Sequence, residues 1–306
     1  MTKIVQDVRA FRRRMLIGAA DLWVIDEGKN HDRAFYDKIL RAAPSSKDLK
    51  VRIRLSEQLS IKGVTAGGKL HSQKLHQFLK GRGELVQHNG VSAKVAVFMI
   101  DRDNDDFAVS PAADPHLIRT RRADVEAEIL MHCKLMRAVA TSHGLAERDI
   151  KRLKRAAADP PLSLASLWED WIRLRLIAIE CGLEGMFSIG APSLVNVSRY
   201  GPPDTALISS FENKMKSRVS AAVFDAADRK ARQWIADAFS RGEAEALLKG
   251  KWLSNFLAHL VGVHLSGVIV KTGIGPDHIV IAGLASLKPS GALLGHYESR
   301  LARALS

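Results

Sequence analysis

The hydrophobic pattern changes its period along the chain, and the change marks the elements. An amphipathic helix is predicted over 4–17, followed by a strand at "DLWVID" (21–26). "HDRAFYDKILRAA" (31–43) returns to a helical period, with Phe35, Ile39 and Leu40 on one face. "LKVRIRL" (49–55) alternates as a second strand, and "GVTAGGKL" (63–70) is a glycine-rich turn opening a helix over 71–81. "KVAVFMID" (94–101) is apolar at nearly every position, as a strand is when both faces of its sheet are covered. "HLIRT" (116–120) is a short fourth strand leading into a helix over 122–142. The order β-α-β-α-β-β-α predicts an α/β fold, with a parallel sheet flanked by helices.

From about residue 145 the pattern is mostly helical. "SLASLWEDWIRLRLIAIECG" (163–182) reads as one amphipathic helix with Ser163 at its N-cap. A long stretch over 211–239, with room for one break, and helices over 243–266 and 290–305 complete the chain. "DPPLS" (159–163) and "RYGPPD" (199–204) are the best linker segments, which puts the main boundary near 150–160. The expected division is an α/β domain with its N-terminal helix over 1–155 and a mainly helical domain over 156–306. Trp168 and Trp171, three apart, share one helix face, which serves either core packing or a homodimer interface.

Composition narrows the classes. With 306 residues, 46% of them hydrophobic, the chain can build a sizeable core. No apolar run approaches the roughly 18 residues a membrane span needs. Basic residues precede an apolar stretch at the N-terminus, but Asp21 and Asp26 interrupt it, so a cytoplasmic protein is expected. Cys133 and Cys181 have no CxxC spacing and read as reduced thiols in helices. Forty-six Lys and Arg against thirty-three Asp and Glu give a net charge of +13, which favours a polyanionic partner. The cations cluster in "FRRR" (11–14), "RTRR" (119–122) and "RDIKRLKR" (148–155).

Against that charge stands "VFMIDRDNDDF" (97–107), where an apolar strand runs into Asp101, Asp103, Asp105 and Asp106. Parallel sheets place their chemistry at the carboxyl ends of strands. Glu27 closes the first strand and Asp101, Asp103 and Asp105 close the third, the last three alternating onto one side of an extended segment. Such an oxygen set suits a hard divalent ion such as Mg²⁺, with Mn²⁺ as a substitute. "DRDNDDFAVSPA" lacks the Gly and the final Glu of an EF-hand, which excludes that calcium loop.

Together, "EGKNHDRAFY", "TAGGK", "IDRDNDDF" and "RTRRADVEAEIL" resemble a Toprim domain. The nearest branch is the stand-alone Toprim nucleases of bacterial anti-phage systems, above all the effector subunit of PARIS-type systems, related to OLD-family nucleases. "LLKGKWLSNFLAHL" (247–260) resembles a lysine–glycine element of that branch. The resemblance covers about 20–130 well and the remainder weakly, and it makes 1–155 the Toprim-like catalytic domain. It implies that Glu27 is the general acid/base or a metal ligand and that Asp101 and Asp103 hold Mg²⁺. Glu126 takes the third acidic position, with Asp124 and Glu128 as competitors, and Lys69 would neutralise a phosphate from a strand end. The family spacing wants an acid four residues after the glutamate. Here that place holds His31 and the acid is Asp32, as if by a one-residue insertion.

The resemblance thus implies a Mg²⁺-dependent nuclease, with tRNA or another cellular RNA favoured over DNA, acting as a toxic defence effector. The resemblance also implies an ABC-type ATPase partner that restrains it, and any ATP hydrolysis would have to come from such a partner, because the chain has no Walker A motif. Arg119, Arg121 and Arg122 are expected on the substrate backbone, leading into the helix with Glu126. The competing reading is a catalytically silent nucleic-acid or partner-binding subunit whose acidic cluster is structural. Topoisomerase chemistry would need a nucleophilic tyrosine, and only Tyr36, Tyr200 and Tyr297 exist. Taken singly the signals are ordinary, since Glu27 or Glu126 could serve a helix start and "GG" a tight turn. His71 and His76, five apart, miss a shared helix face and are not expected as ligands.

Overall fold

The computed structural model describes residues 5–28, 31–90, 92–103, 107, 114–183, 200–265 and 274–306. The chain divides into two compact units. One is built from 1–102, 112–132 and 287–306, and the other from 103–111 and 133–286.

In the first unit, a short strand β1 (Gln6–Asp7) leads into α1 (Val8–Ile17), where Asp7 caps the helix by accepting from Arg9 N at 2.8 Å. Then follow β2 (Leu22–Asp26), α2 (Asp32–Ala42), β3 (Val51–Leu55), β4 (Leu59–Ser60), α3 (Gly68–Gly81), β5 (Val86–His88), β6 (Ala93–Ile100) and β7 (Leu117–Arg119). Helices Val125–His132 and Gly291–Leu305 complete the unit. Strands β3, β2, β6 and β7 run parallel in that order, and β5 pairs antiparallel with the first half of β6, on the edge that β7 uses further along. The fold class is therefore α/β, with a mainly parallel sheet flanked by helices and a helical C-terminal region.

The sheet is apolar because helices cover both of its faces. On one, Phe11 and Met15 of α1 and Leu75 and Leu79 of α3 pack on Trp23, Ile25, Ala96 and Phe98. On the other lie α2 and helix Gly291–Leu305, joined through Phe35, Tyr36 and Tyr297. Helix α3 starts three residues earlier than its polar pattern suggested. Gly67 and Gly68 adopt φ of 93° and 74°, left-handed values that glycine alone reaches without strain, and they turn the chain into the helix.

Several features differ from the sequence-based expectation. Strand β5 was not foreseen, because three residues of "VQH" show too little alternation. The helix expected over 122–142 is two, Val125–His132 and Leu135–His143. The helix over 163–182 is also two, Pro160–Leu167 and Glu169–Glu180, so "DPPLS" is a helix start rather than a linker. Asp159, not Ser163, provides its cap, accepting from Leu162 N at 3.0 Å. Finally, the division falls near 102–133 and again at 286, not at 150–160. Helix Gly291–Leu305 belongs to the sheet unit because its buried face, Leu293, Tyr297 and Leu301, completes that core.

The second unit is helical, with elements including Leu135–His143, Glu147–Ala156, Pro160–Leu167, Glu169–Glu180, Thr205–Lys216, Ala221–Ser240, Gly250–His264 and Pro276–Ser286. The break foreseen within 211–239 falls at Ser220, which caps Ala221–Ser240. Trp168 stacks on Tyr200 at 5.4 Å and meets Trp252 edge-on at 5.9 Å, while Trp171 meets Phe211 at 6.3 Å. Both tryptophans are 1% exposed, so the stripe is core and lends no support to a homodimer interface. No single helix among the described residues is long and apolar enough to cross a membrane.

Candidate functional site at the strand ends

Strands β2 and β6 are neighbours in parallel register, with Asp26 opposite Met99, so their carboxyl ends coincide. Glu27 N donates to the Met99 carbonyl at 3.2 Å, and Asp101 N donates to Glu27 Oε2 at 3.2 Å. These two bonds place Glu27 and Asp101 side by side at the end of the sheet.

Beneath them is an acid that sequence reading passed over as the last residue of a strand. Asp26 is 0% exposed, and neither carboxylate oxygen meets a hydrogen-bond donor from another described residue. Burial, and then the charge of Asp32, push its carboxyl up to about 8. Asp32 lies in the first turn of α2 and is itself buried. It reaches the site because Gly28 has no side chain: a Cβ there would collide with the Asp32 carboxylate. The shifted acid after Glu27 is therefore held beside the strand ends, with Gly28 making its approach sterically possible.

The cations nearby are mostly engaged through main chain. Lys69 sits in the first turn of α3, not at a strand end, and its ammonium donates to the Arg102 carbonyl at 3.1 Å. Arg102 N donates to Thr120 Oγ1 at 2.9 Å and its guanidinium to the Arg121 carbonyl at 2.7 Å. Glu128, 0% exposed, accepts through Oε1 from the amides of Arg121 and Arg122 and, at 3.3 Å, from the Tyr297 hydroxyl. Of the three competing acids, Glu128 thus clamps the 119–122 turn. Asp124 caps its helix by accepting from Ala127 N at 2.8 Å. Glu126 is buried in the first helical turn. Arg119, Arg121 and Arg122 are all half-buried, and the Arg119 carbonyl accepts from His296 at 2.8 Å.

Tyr36 and Tyr297 lie 6.2 Å apart between the acids and the core. Burial pushes both hydroxyls well above their usual range. The Tyr297 ring and then Asp32, Asp101 and Asp26 reinforce this at Tyr36, and Glu128, Asp101 and Asp32 at Tyr297. Neither is a plausible nucleophile, and Tyr200 is stacked on Trp168 in the helical unit. His71 and His76 are structural: His71 Nδ1 accepts from Gly67 N at 3.0 Å, and His76 lies 3.3 Å from Asp114.

Asp103 belongs to the helical unit, where its Oδ1 lies 2.9 Å from the Lys249 ammonium. Lys249 immediately precedes helix Gly250–His264, in the lysine–glycine element singled out in the sequence. Asp105 and Asp106 lie outside the described residues. Among the described residues, no group of three or more His, Cys, Asp or Glu side chains is gathered to hold a metal ion. The oxygen-only pair of Glu27 and Asp101 still fits a hard ion that takes one or two carboxylates and keeps its waters. Cys133 and Cys181 are free thiols, both raised by burial, Cys133 to about 11. Compared with protein families and with curated proteins, the sequence matches none.

Proposed function

We propose that the chain is a Mg²⁺- or Mn²⁺-dependent Toprim-type nuclease, with RNA favoured as substrate. Its part would be that of a defence effector restrained by an ATPase partner. The observation that supports this reading is the hydrogen bond from Asp101 N to Glu27 Oε2, which ties the Glu27 carboxylate to the main chain of Asp101 at the neighbouring strand end. In this reading Glu27 and Asp101 hold the divalent ion, and Glu27 also handles the proton of the attacking water. The ion, when bound, neutralises charge building up on the phosphate and acidifies water. Lys69, tethered to the Arg102 carbonyl, supplies a cation to the substrate phosphate. The charge of buried Asp32, felt by Asp26, makes the local potential negative and favours a cation at the site, whereas Asp26 keeps its proton up to about pH 8. Calorimetric titration of Mg²⁺ and Mn²⁺ into the chain, with cleavage assays on RNA and DNA, tests this. Glu27→Ala should abolish both ion uptake and cleavage, and uptake unchanged by that substitution would end the assignment.

The second reading, a non-catalytic binding subunit, is favoured by the Lys249–Asp103 pair, which occupies one of the expected ligands with an internal cation. No ion uptake by the folded wild type would select it.

A further inference from the structure

Strand β3 is the outer strand of the parallel sheet, and among the described residues it pairs with β2 alone. Its free edge faces a groove of about 950 Å³ between the strand and helix α2. Arg33, Asp37 and Arg41, spaced four apart, form the helical wall, and Lys47 stands at the end where the chain enters β3. Arg52 and Arg54 belong to the strand but turn to its other face, where their guanidiniums lie 5.4 and 6.0 Å from the Trp23 ring. On the α2 side three cations, Arg33, Arg41 and Lys47, therefore meet a single acid, Asp37, which is already paired with Arg41 at 2.9 Å. Arg33, Arg41, Lys47 and Arg52 are exposed, while Arg54 donates to Gln6 Oε1 at 2.7 Å.

Positive charge alone would suit any polyanion, but two further features are specific to a polypeptide. The strand edge offers main-chain donors and acceptors in a row, which phosphates, having no donors, cannot complete. Val51 and Ile53, two apart and half-buried, line the groove and offer apolar contacts at the period of an extended chain. We infer that this groove binds an acidic, extended peptide segment of a partner protein, which adds to β3 as a further strand. The main-chain ladder supplies affinity, and the flanking cations select acidic side chains and set the strand's orientation. The inference is independent of the strand-end chemistry, because neither Arg41 nor Lys47 belongs to that site.

The test is fluorescence anisotropy of the full chain with a fluorescein-labelled octapeptide of alternating Val and Glu. Saturable binding is expected, weakened about tenfold or more by Arg41→Glu combined with Lys47→Glu. These two residues are exposed, so the variant should keep the wild-type melting temperature, and that measurement shows that the fold is intact. The same peptide with alternate amide nitrogens methylated loses its main-chain donors and should not bind. Equal binding of the methylated peptide would overturn the inference, as would no binding of the parent peptide or no effect of charge reversal. A labelled oligonucleotide that binds more tightly and displaces the peptide would make the groove a nucleic-acid surface instead.

Discussion

The Lys249 ammonium lies 2.9 Å from Asp103 Oδ1, and Asp103 holds this position from a left-handed backbone with φ of 51°. Non-glycine residues tolerate that region poorly, although aspartate does so better than most. Asp103→Gly should therefore relieve the backbone while losing a half-exposed ion pair worth at most about 1 kcal/mol. Asp103→Ala loses the pair and keeps the strain. Urea melts should rank wild type and glycine variant close together, with alanine lower by about 1 kcal/mol. Equal losses in both variants would remove the backbone from the explanation.

Asp26 sets a pH dependence whose sign follows from its burial. Its carboxyl titrates near 3.8 when unperturbed and at about 8 in the fold. Between those values the folded chain keeps a proton that the unfolded chain has lost. Stability therefore falls as pH rises across this window, by up to about 1.4 kcal/mol per unit, and levels off above it. Asp26→Asn should flatten the slope and be the more stable protein at pH 8. Parallel slopes for the two proteins between pH 5 and 8 would refute this.

Gly28→Ala should cost about 1–3 kcal/mol, because the new methyl displaces the buried Asp32 carboxylate. Asp32→Ala in the same chain should recover part of that loss, a non-additivity expected of groups in contact. A purely additive double mutant in thermal melts would mean that the two do not compete for space.

Glu128→Gln should destabilise the chain by about 2 kcal/mol, since it weakens charge-assisted bonds from two backbone amides. Tyr297→Phe should cost less, because it removes only the longer 3.3 Å bond and leaves the ring packed. The reverse order in denaturant melts would show that the tyrosine holds the turn.

The exposed cations of helix Glu147–Ala156, namely Arg148, Lys151, Arg152, Lys154 and Arg155, contrast with the half-buried Arg119, Arg121 and Arg122. If the chain grips nucleic acid, charge reversal on that helix should flatten the salt dependence of binding more than reversal in the 119–122 turn. Binding slopes measured between 50 and 200 mM salt, about a Debye-length change of twofold, decide between them.

The parallel core was readable because β2 is apolar up to its closing Asp26 and β6 apart from Lys94, as strands are when both faces are covered. Glu27 and Asp101 were readable as acids at strand ends, and the structure joins them by a hydrogen bond. Asp26 was missed because its single acid closes an apolar run and looks like the start of a loop. Only the register with β6 shows that it is interior. The roles of Glu128 and Tyr297 depend on a contact 169 residues apart in sequence, which no local pattern reports. Helix boundaries inside 122–142 and 163–182 escaped because apolar periodicity continues across Cys133 and Trp168 while the backbone turns.

Helix Gly291–Leu305 supplies Tyr297 to the core of a unit whose other parts are all made before residue 133. During synthesis the sheet must therefore wait for more than half of the chain to be translated before its second face is sealed. Until then Phe35 and Tyr36 lack their aromatic neighbour and Glu128 lacks its tyrosine donor. The strand-end acids thus acquire their final surroundings only after residue 297 has left the ribosome, which makes completion of the site a late event in the life of each molecule.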